Sequence, residues 1–301
     1  MAVPLACNLY LTTCNVSPMR SEERDISIQA GHLHCVIAGT GPLVLLLHGF
    51  PEFWYSWRNQ IAPLAEAGFR VAAPDLRGYN LSSRPGGVRN YRMEALVQDV
   101  VDLVHALGQQ RCILVGHDWG GMVAWFTAMT HPELVERLVV MNCPHPLPFR
   151  RELKLPAQKK KSSYMAFFQL PWLPELMMRA FDFRRLRRAL KSLSSNPNAF
   201  NEEEMARYVE AWRQPGALTA MLNYYRAMRV RPASSTAIQP IRCPTLLIWG
   251  QRDPVFVPEV FQDFDQWVPD LRLEKVPEAS HFVQADVPEI VNKLIIDFAR
   301  Q

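Results

Sequence analysis

The sequence predicts an α/β fold, a mostly parallel sheet flanked by helices, interrupted by an all-helical insertion. Three observations predict it. Short apolar runs ending in turn residues recur along the chain, several of them separated by helical patterns. The runs are nearly continuous in apolar residues, as strands covered on both faces must be. Between about Cys143 and Gln239 the alternation stops, and no convincing strand interrupts the helical segments.

In chain order the strand candidates are HLHCVIA, PLVLLLHG, FRVAAPD, RCILVGHD, RLVVMNC, PTLLIWG and LRLEKV. Each is short, leucine-rich or β-branched, and closed by a turn residue. Helical spacing marks MEALVQDVVDLVHAL, GMVAWFTAMTH and the final PEIVNKLIIDFAR. Asp286, Pro288 and Glu289 make a start signal for that last helix. The stretch in between is rich in Pro, Arg and aromatic residues. The expected organisation is therefore a core over residues 1–142 and 240–301 with a helical insertion over 143–239. No internal repeat is evident, and KKKSS at Lys159 to Ser163 is too short for a linker.

With 301 residues, 49% hydrophobic and 21% charged, the composition is that of an ordinary globular protein. A chain this long buries most of its apolar surface, so it needs neither disulfides nor a structural metal. The net charge, 33 − 29 = +4, implies no nucleic-acid partner. Charge is unevenly divided: residues 143–235 hold seventeen Lys or Arg against seven acids, 17 − 7 = +10, leaving 4 − 10 = −6 elsewhere. Such an insertion could attract anions or a membrane surface, but solvated helix faces such as RRLRR are the simpler reading.

The six cysteines (Cys7, Cys14, Cys35, Cys112, Cys143, Cys243) show no C-x-x-C pair or metal spacing. They read as buried thiols in a reducing compartment. The first twenty residues carry no charge before Arg20, and Pro4 and Asn8 break their apolar stretch, unlike a secretory leader. No run reaches the length of a membrane span. The expected location is the cytoplasm.

The strongest motif is Gly116-His117-Asp118-Trp119-Gly120-Gly121, between the strand RCILV and the helix MVAWFTAM. It is a nucleophile elbow, a tight strand-to-helix turn that presents one side chain above a sheet. An acidic helix cap would be the ordinary alternative, but flanking glycines on both sides favour the elbow. Asp118 stands where esterases carry serine, and this changes the chemistry. A serine attacking an sp3 carbon would leave a stable ether, whereas a carboxylate leaves an ester that water can cleave. The helix N-terminus favours the ionised form, so Asp118 needs no activating base. The substrate should carry an electrophilic carbon with a leaving group; epoxides and alkyl halides both qualify.

His48-Gly49-Phe50-Pro51-Glu52 follows the strand PLVLLL, where a loop of this kind supplies one oxyanion N–H. The residue after the nucleophile supplies the other, so Phe50 and Trp119 are the expected oxyanion donors. An acid and a base should follow in that order. Asp253, in Gly250-Gln251-Arg252-Asp253-Pro254, is the candidate acid, and His281, in Ala279-Ser280-His281-Phe282, the candidate base. His281 would deprotonate the hydrolytic water and Asp253 would orient its ring. His32 and His34, with no partner cluster, read as structural. Asp263 and Asp265 compete weakly for the acid's role, from what reads as a helix.

Together HGFPEFWYSWR, DLRGY, GHDWGG, GQRDPVF and the ASHF histidine resemble the epoxide hydrolases of the α/β-hydrolase fold, from about Arg24 to Phe298. The resemblance implies that the insertion is a helical cap. It also implies two cap tyrosines that hydrogen-bond the epoxide oxygen: Tyr164 in SSYMAFFQLPWLPE and Tyr225 in LNYYRAM, with Tyr224 the weaker match. A neutral phenol can give the departing alkoxide a proton. Candidate apolar lining residues are Trp54, Phe168, Leu170, Trp172 and Met221.

Haloalkane and haloacid dehalogenases share the HGxP loop and the triad, and are the alternative reading. A non-catalytic receptor on the same fold is a third, against which all triad members are retained. No metal or cofactor is expected. The expected partner is a small-molecule epoxide, and the sequence leaves a homodimer open.

Overall fold

The computed structural model describes residues 21–231, 239–261 and 264–301. The first twenty residues, with Cys7, Cys14 and the reading made of the leader, lie outside the described residues, as does Asp263.

The chain opens with β1 (Glu22–Ile28), β2 (Gly31–Ala38) and β3 (Leu43–Leu47), then α1 (Arg58–Glu66) and β4 (Arg70–Pro74). Next come α2 (Met93–Ala106), β5 (Cys112–His117), α3 (Trp119–Thr130) and β6 (Val135–Met141). They form one eight-stranded sheet with β7 (Thr245–Gly250) and β8 (Leu271–Val276), in the order β1-β2-β4-β3-β5-β6-β7-β8. The β1–β2 and β2–β4 pairs are antiparallel and the remaining pairs parallel. All seven strand candidates are in it.

β1 was not among them. Its sequence EERDISI opens with four exposed charged residues, and only Ile26 is buried. A charged edge strand resists pairing with other chains, and the same charges hide it from an apolar pattern.

The central strands explain why nearly every residue is apolar. In β3, Leu43, Leu45 and Leu47 enter one core cluster while Val44 and Leu46 enter the opposite one. α2 and α3 cover the first face. α1 and the last helix cover the second, through Ile61, Leu64, Val291, Ile295 and Phe298. α3 is buried almost all round, as its position over the sheet centre demands.

Between β6 and β7 the described residues form only helices. These are α4 (Pro146–Glu152), α5 (Pro156–Lys161), α6 (Ser163–Phe167), α7 (Leu173–Ser192), α8 (Glu202–Arg213) and α9 (Ala217–Ala227). α7 is interrupted at Ala180–Phe183, where Phe181, Asp182 and Phe183 take positive φ. Apolar side chains of these helices join the α2–α3 face of the core without a break.

The C-terminus departs from expectation. α10 (Val283–Asp286) precedes α11 (Pro288–Ala299), so Asp286 closes a short helix and does not begin the last one. Its carboxylate is instead taken up by residues 194–196 and 280. Asp265 lies in a turn and not in a helix.

Candidate active site

β5 ends at His117 and α3 starts at Trp119, so Asp118 alone makes the turn, with φ 49° and ψ −118°. A non-glycine residue there is strained and persists only where its surroundings impose it. A Cβ on Gly116 would sit 2.7 Å from the Gly121 nitrogen, and one on Gly49 2.8 Å from Asp118 Oδ1. Both positions are glycine because other backbone or the carboxylate fills the space.

The two carboxylate oxygens of Asp118 differ. Oδ1 accepts a hydrogen bond from the Phe50 N–H at 2.8 Å. Oδ2 faces His281 Nε2 at 3.7 Å. Trp119, the first residue of α3, has an N–H with no intrahelical acceptor, as every helix start does. The Phe50 loop is held from behind by His48. Leu76 N–H donates to His48 Nε2 at 2.9 Å, so the proton sits on Nδ1, 2.9 Å from the Gly49 carbonyl. Burial lowers the His48 pKa and keeps that ring neutral, although nearby Asp75 opposes it.

His281 follows β8 and Asp253 follows β7, and the fold brings them together: Nδ1 lies 2.9 Å from Asp253 Oδ2. Asn142 Nδ2 and the Val255 N–H also donate to that carboxylate, at 2.8 and 2.7 Å. Burial would raise the Asp253 pKa, but His281 and these donors outweigh it and hold the carboxyl low. Burial likewise disfavours the His281 imidazolium. Asp253, then Asp118 and Glu52, outweigh that and raise its pKa to about 9.

Glu52 is a buried acid to which sequence reasoning assigned no role. Its Oε2 accepts from the Gly49 N–H at 3.0 Å and lies 2.8 Å from His117 Nδ1, while Gln284 Nε2 donates to Oε1 at 3.1 Å. His117 Nε2 in turn lies 2.9 Å from the His281 carbonyl. Glu52 and His117 sit inside the two strongest motifs, so their position was visible although their pairing was not. Asn142 carried no signal at all.

Tyr164 on α6 and Tyr225 on α9 meet, with ring centroids 5.9 Å apart. Tyr225 also packs against Trp119 at 5.1 Å and Phe50 at 5.3 Å, which places it beside both expected oxyanion donors. Burial, and then the Asp118 and Asp253 carboxylates, push the Tyr164 phenol up; a hydrogen bond with Tyr225 opposes them. Burial, Tyr164 and Asp118 push Tyr225 well up. Both phenols therefore keep their protons. Tyr224 is engaged elsewhere, donating to the Arg77 carbonyl at 2.8 Å.

The lining candidates divide. Phe168 packs on Tyr225 (5.0 Å), Tyr164 (5.4 Å) and Phe50 (5.7 Å). Met221 is buried on α9, one turn before Tyr225 and on its face. Trp54 packs on Phe53 and Tyr55. Leu170 and Trp172 are more exposed, at 43% and 69%. Trp172 takes φ 49° ahead of α7 and lines an outer groove with Val88, Gln169 and Arg226. Among the described residues no three His, Cys, Asp or Glu side chains gather as metal ligands, and no helix is long and apolar enough to cross a membrane.

Residues 42–288 match the family model described as alpha/beta hydrolase fold. The chain is an α/β hydrolase. Among its relatives this α/β hydrolase is 46% identical over 273 residues to the AB hydrolase superfamily protein YfhM of Bacillus subtilis, covering 89% of this chain and 94% of that one. It is 42% identical over 276 residues to Epoxide hydrolase 4 of Homo sapiens, covering 89% and 75%. The solved structure of a Bacillus megaterium epoxide hydrolase in complex with an inhibitor superposes with a TM-score of 0.84 at 34% identity. That superposition covers 92% of this chain and all of the other.

Proposed function

We propose that this α/β hydrolase opens epoxides to vicinal diols through a covalent ester on Asp118. The observation that carries the reading is the setting of the Asp118 carboxylate. Oδ1 is held by the Phe50 N–H, Oδ2 faces His281, and two protonated tyrosines stand beside it. Relatives and solved neighbours named epoxide hydrolases support it.

In the first half-reaction Asp118 Oδ2 attacks a ring carbon and the C–O bond breaks. Tyr164 or Tyr225 gives its proton to the departing oxygen. In the second, water attacks the ester carbon, Cγ of Asp118, and His281 takes its proton while Asp253 stabilises the imidazolium. The negative charge forms on Oδ1, where Phe50 and Trp119 N–H groups receive it. Collapse expels the diol with Oδ2 attached as an alkoxide, which takes the proton from His281. The water's other proton, left on the new Asp118 carboxyl, goes to the tyrosinate, so Asp118, His281 and both phenols return to their starting states.

The phenols separate this reading from dehalogenation, since a halide departs without needing a proton. Residues 143–239 act as the cap that carries both phenols and Phe168. The substrate is a small epoxide, with no nucleic acid involved. The four described cysteines are free thiols, which suits the reducing cytoplasm.

The test is a single turnover in heavy-oxygen water with excess protein. The first diol should be mostly unlabelled, its new oxygen coming from Asp118. Labelled first product would mean direct attack by water and would end the covalent reading.

A further inference from the structure

Asp253 sets the ring of His281, but other groups hold its main chain. The His281 N–H donates to the Leu193 carbonyl at 3.0 Å, one residue past the end of α7. The preceding Ser280 N–H donates to Asp286 Oδ2 at 2.7 Å. That same buried carboxylate accepts from the Ser195 N–H (3.1 Å to each oxygen), Ser195 Oγ (2.9 Å), Ser194 Oγ and the Asn196 N–H (3.3 Å). Asn196 Nδ2 also donates to the Asp286 carbonyl at 3.3 Å. One acid thus gathers donors from two places: the segment leaving α7 and the loop carrying the candidate base.

A carboxylate surrounded only by donors has no neutral replacement of equal shape. An amide would turn its NH2 group toward other donors, and an alanine would leave the buried Ser280 N–H and the half-buried Ser195 and Asn196 N–H groups unpaired. Either change frees residues 193–196 to shift, and the Leu193 carbonyl with them. The consequence falls on His281, whose Nε2 must reach a water lying against the Asp118 ester. Asp118, Tyr164 and Tyr225 share no hydrogen bond with this knot.

We propose that Asp286 is a positioning residue that locks the insertion to the His281 loop and so aims the base for ester hydrolysis. The inference rests on the function proposed above. It requires the two half-reactions to respond differently, which a general loss of structure would not produce.

The experiment is rapid-quench single turnover on Asp286→Asn, with His281→Gln and a Ser194→Ala, Ser195→Ala double variant alongside and a styrene-type epoxide as substrate. Ester formation should stay within about threefold of the parent, while ester breakdown falls about tenfold or more, as expected when a reacting group is displaced. The pH midpoint of breakdown should also move down, because a base turned from Asp253 loses its main raising partner. The double serine variant should show the same split to a smaller degree. Breakdown at the parental rate in folded Asp286→Asn, or equal loss in both steps, overturns the proposal. If Asp286→Asn does not fold, the serine variant decides by the same criteria. Should His281→Gln fail to accumulate ester, the proposed function falls and this inference with it. If it accumulates ester and Asp286→Asn behaves as the parent, only the positioning role falls.

Discussion

His281 is protonated at neutral pH in the free protein, because its pKa stands near 9. Burial lowers it, and Asp253, Asp118 and Glu52 more than compensate. As an imidazolium it pairs with ionised Asp118, but it cannot accept a proton. Esterification removes the Asp118 charge and with it one of the raising interactions, so the reaction itself prepares the base. Ester breakdown should therefore rise with pH around a midpoint below that of His281 in the free protein. NMR titration and quench kinetics measure the two, and equal midpoints would remove the Asp118 charge from the account. His281→Gln should form an adduct of the epoxide's mass and keep it, with breakdown slowed on the order of a hundredfold or more. The same shift has a sign for folding. With its pKa raised from 6.5 to about 9, His281 stabilises the fold fully below about 6.5 and loses that contribution as pH rises through 9. Asp118, Asp253 and His281 were legible because turn chemistry at strand ends marks them. The exposure of Leu170 and Trp172, against the burial of Phe168 and Met221, was not legible, because side-chain direction depends on backbone angles that composition does not carry.

At the scale of the element, α6 and α9 bring Tyr164 and Tyr225 together from positions 225 − 164 = 61 residues apart. Both phenols stay protonated and both can donate to a departing oxygen. Removing one leaves the other, so single Phe variants should keep part of the ring-opening rate. The Tyr164→Phe, Tyr225→Phe double variant should lose far more, each donor being worth about 2–4 kcal/mol if it acts like an oxyanion-hole donor. Ester breakdown should change much less. A folded double variant that opens epoxides at the parental rate would return both tyrosines to the role of core aromatics. β3, β5 and β7 could be read directly because burial on both faces leaves almost no polar positions, while β8, at the other edge, showed itself by its Leu-Arg-Leu alternation. β1 could not, since an edge strand with one buried side chain has no apolar period to detect. The interruption of α7 was also invisible: Ala180 to Phe183 contains neither Gly nor Pro.

Across the whole molecule, the insertion and the sheet share one apolar cluster, and polar contacts seal the join. The Trp212 indole N–H on α8 donates to the Pro51 carbonyl at 2.6 Å, within the loop that presents Phe50. Arg58 of α1 reaches the Ala199 carbonyl at 2.7 Å and pairs with Glu204 at 2.7 Å. Trp212→Ala should then cost about 3–5 kcal/mol. It should lower the urea midpoint and weaken catalysis through the loosened Phe50 loop. An unchanged midpoint would show that this tryptophan does not join the two parts. The charge asymmetry of the sequence also takes a place here, since the basic excess lies on helices whose apolar faces are spent on the shared core.

The unequal oxygens of Asp118 have a consequence for the catalyst's own atoms. Oδ2 leaves with each diol, and the oxygen of the attacking water takes its position. Oδ1, tied to the Phe50 N–H, is carried over from cycle to cycle unless the carboxylate rotates. Under the proposed mechanism the protein is thus repaired by one atom per turnover, always on the same side of the same residue. The single main-chain hydrogen bond from Phe50 separates the expendable oxygen from the permanent one.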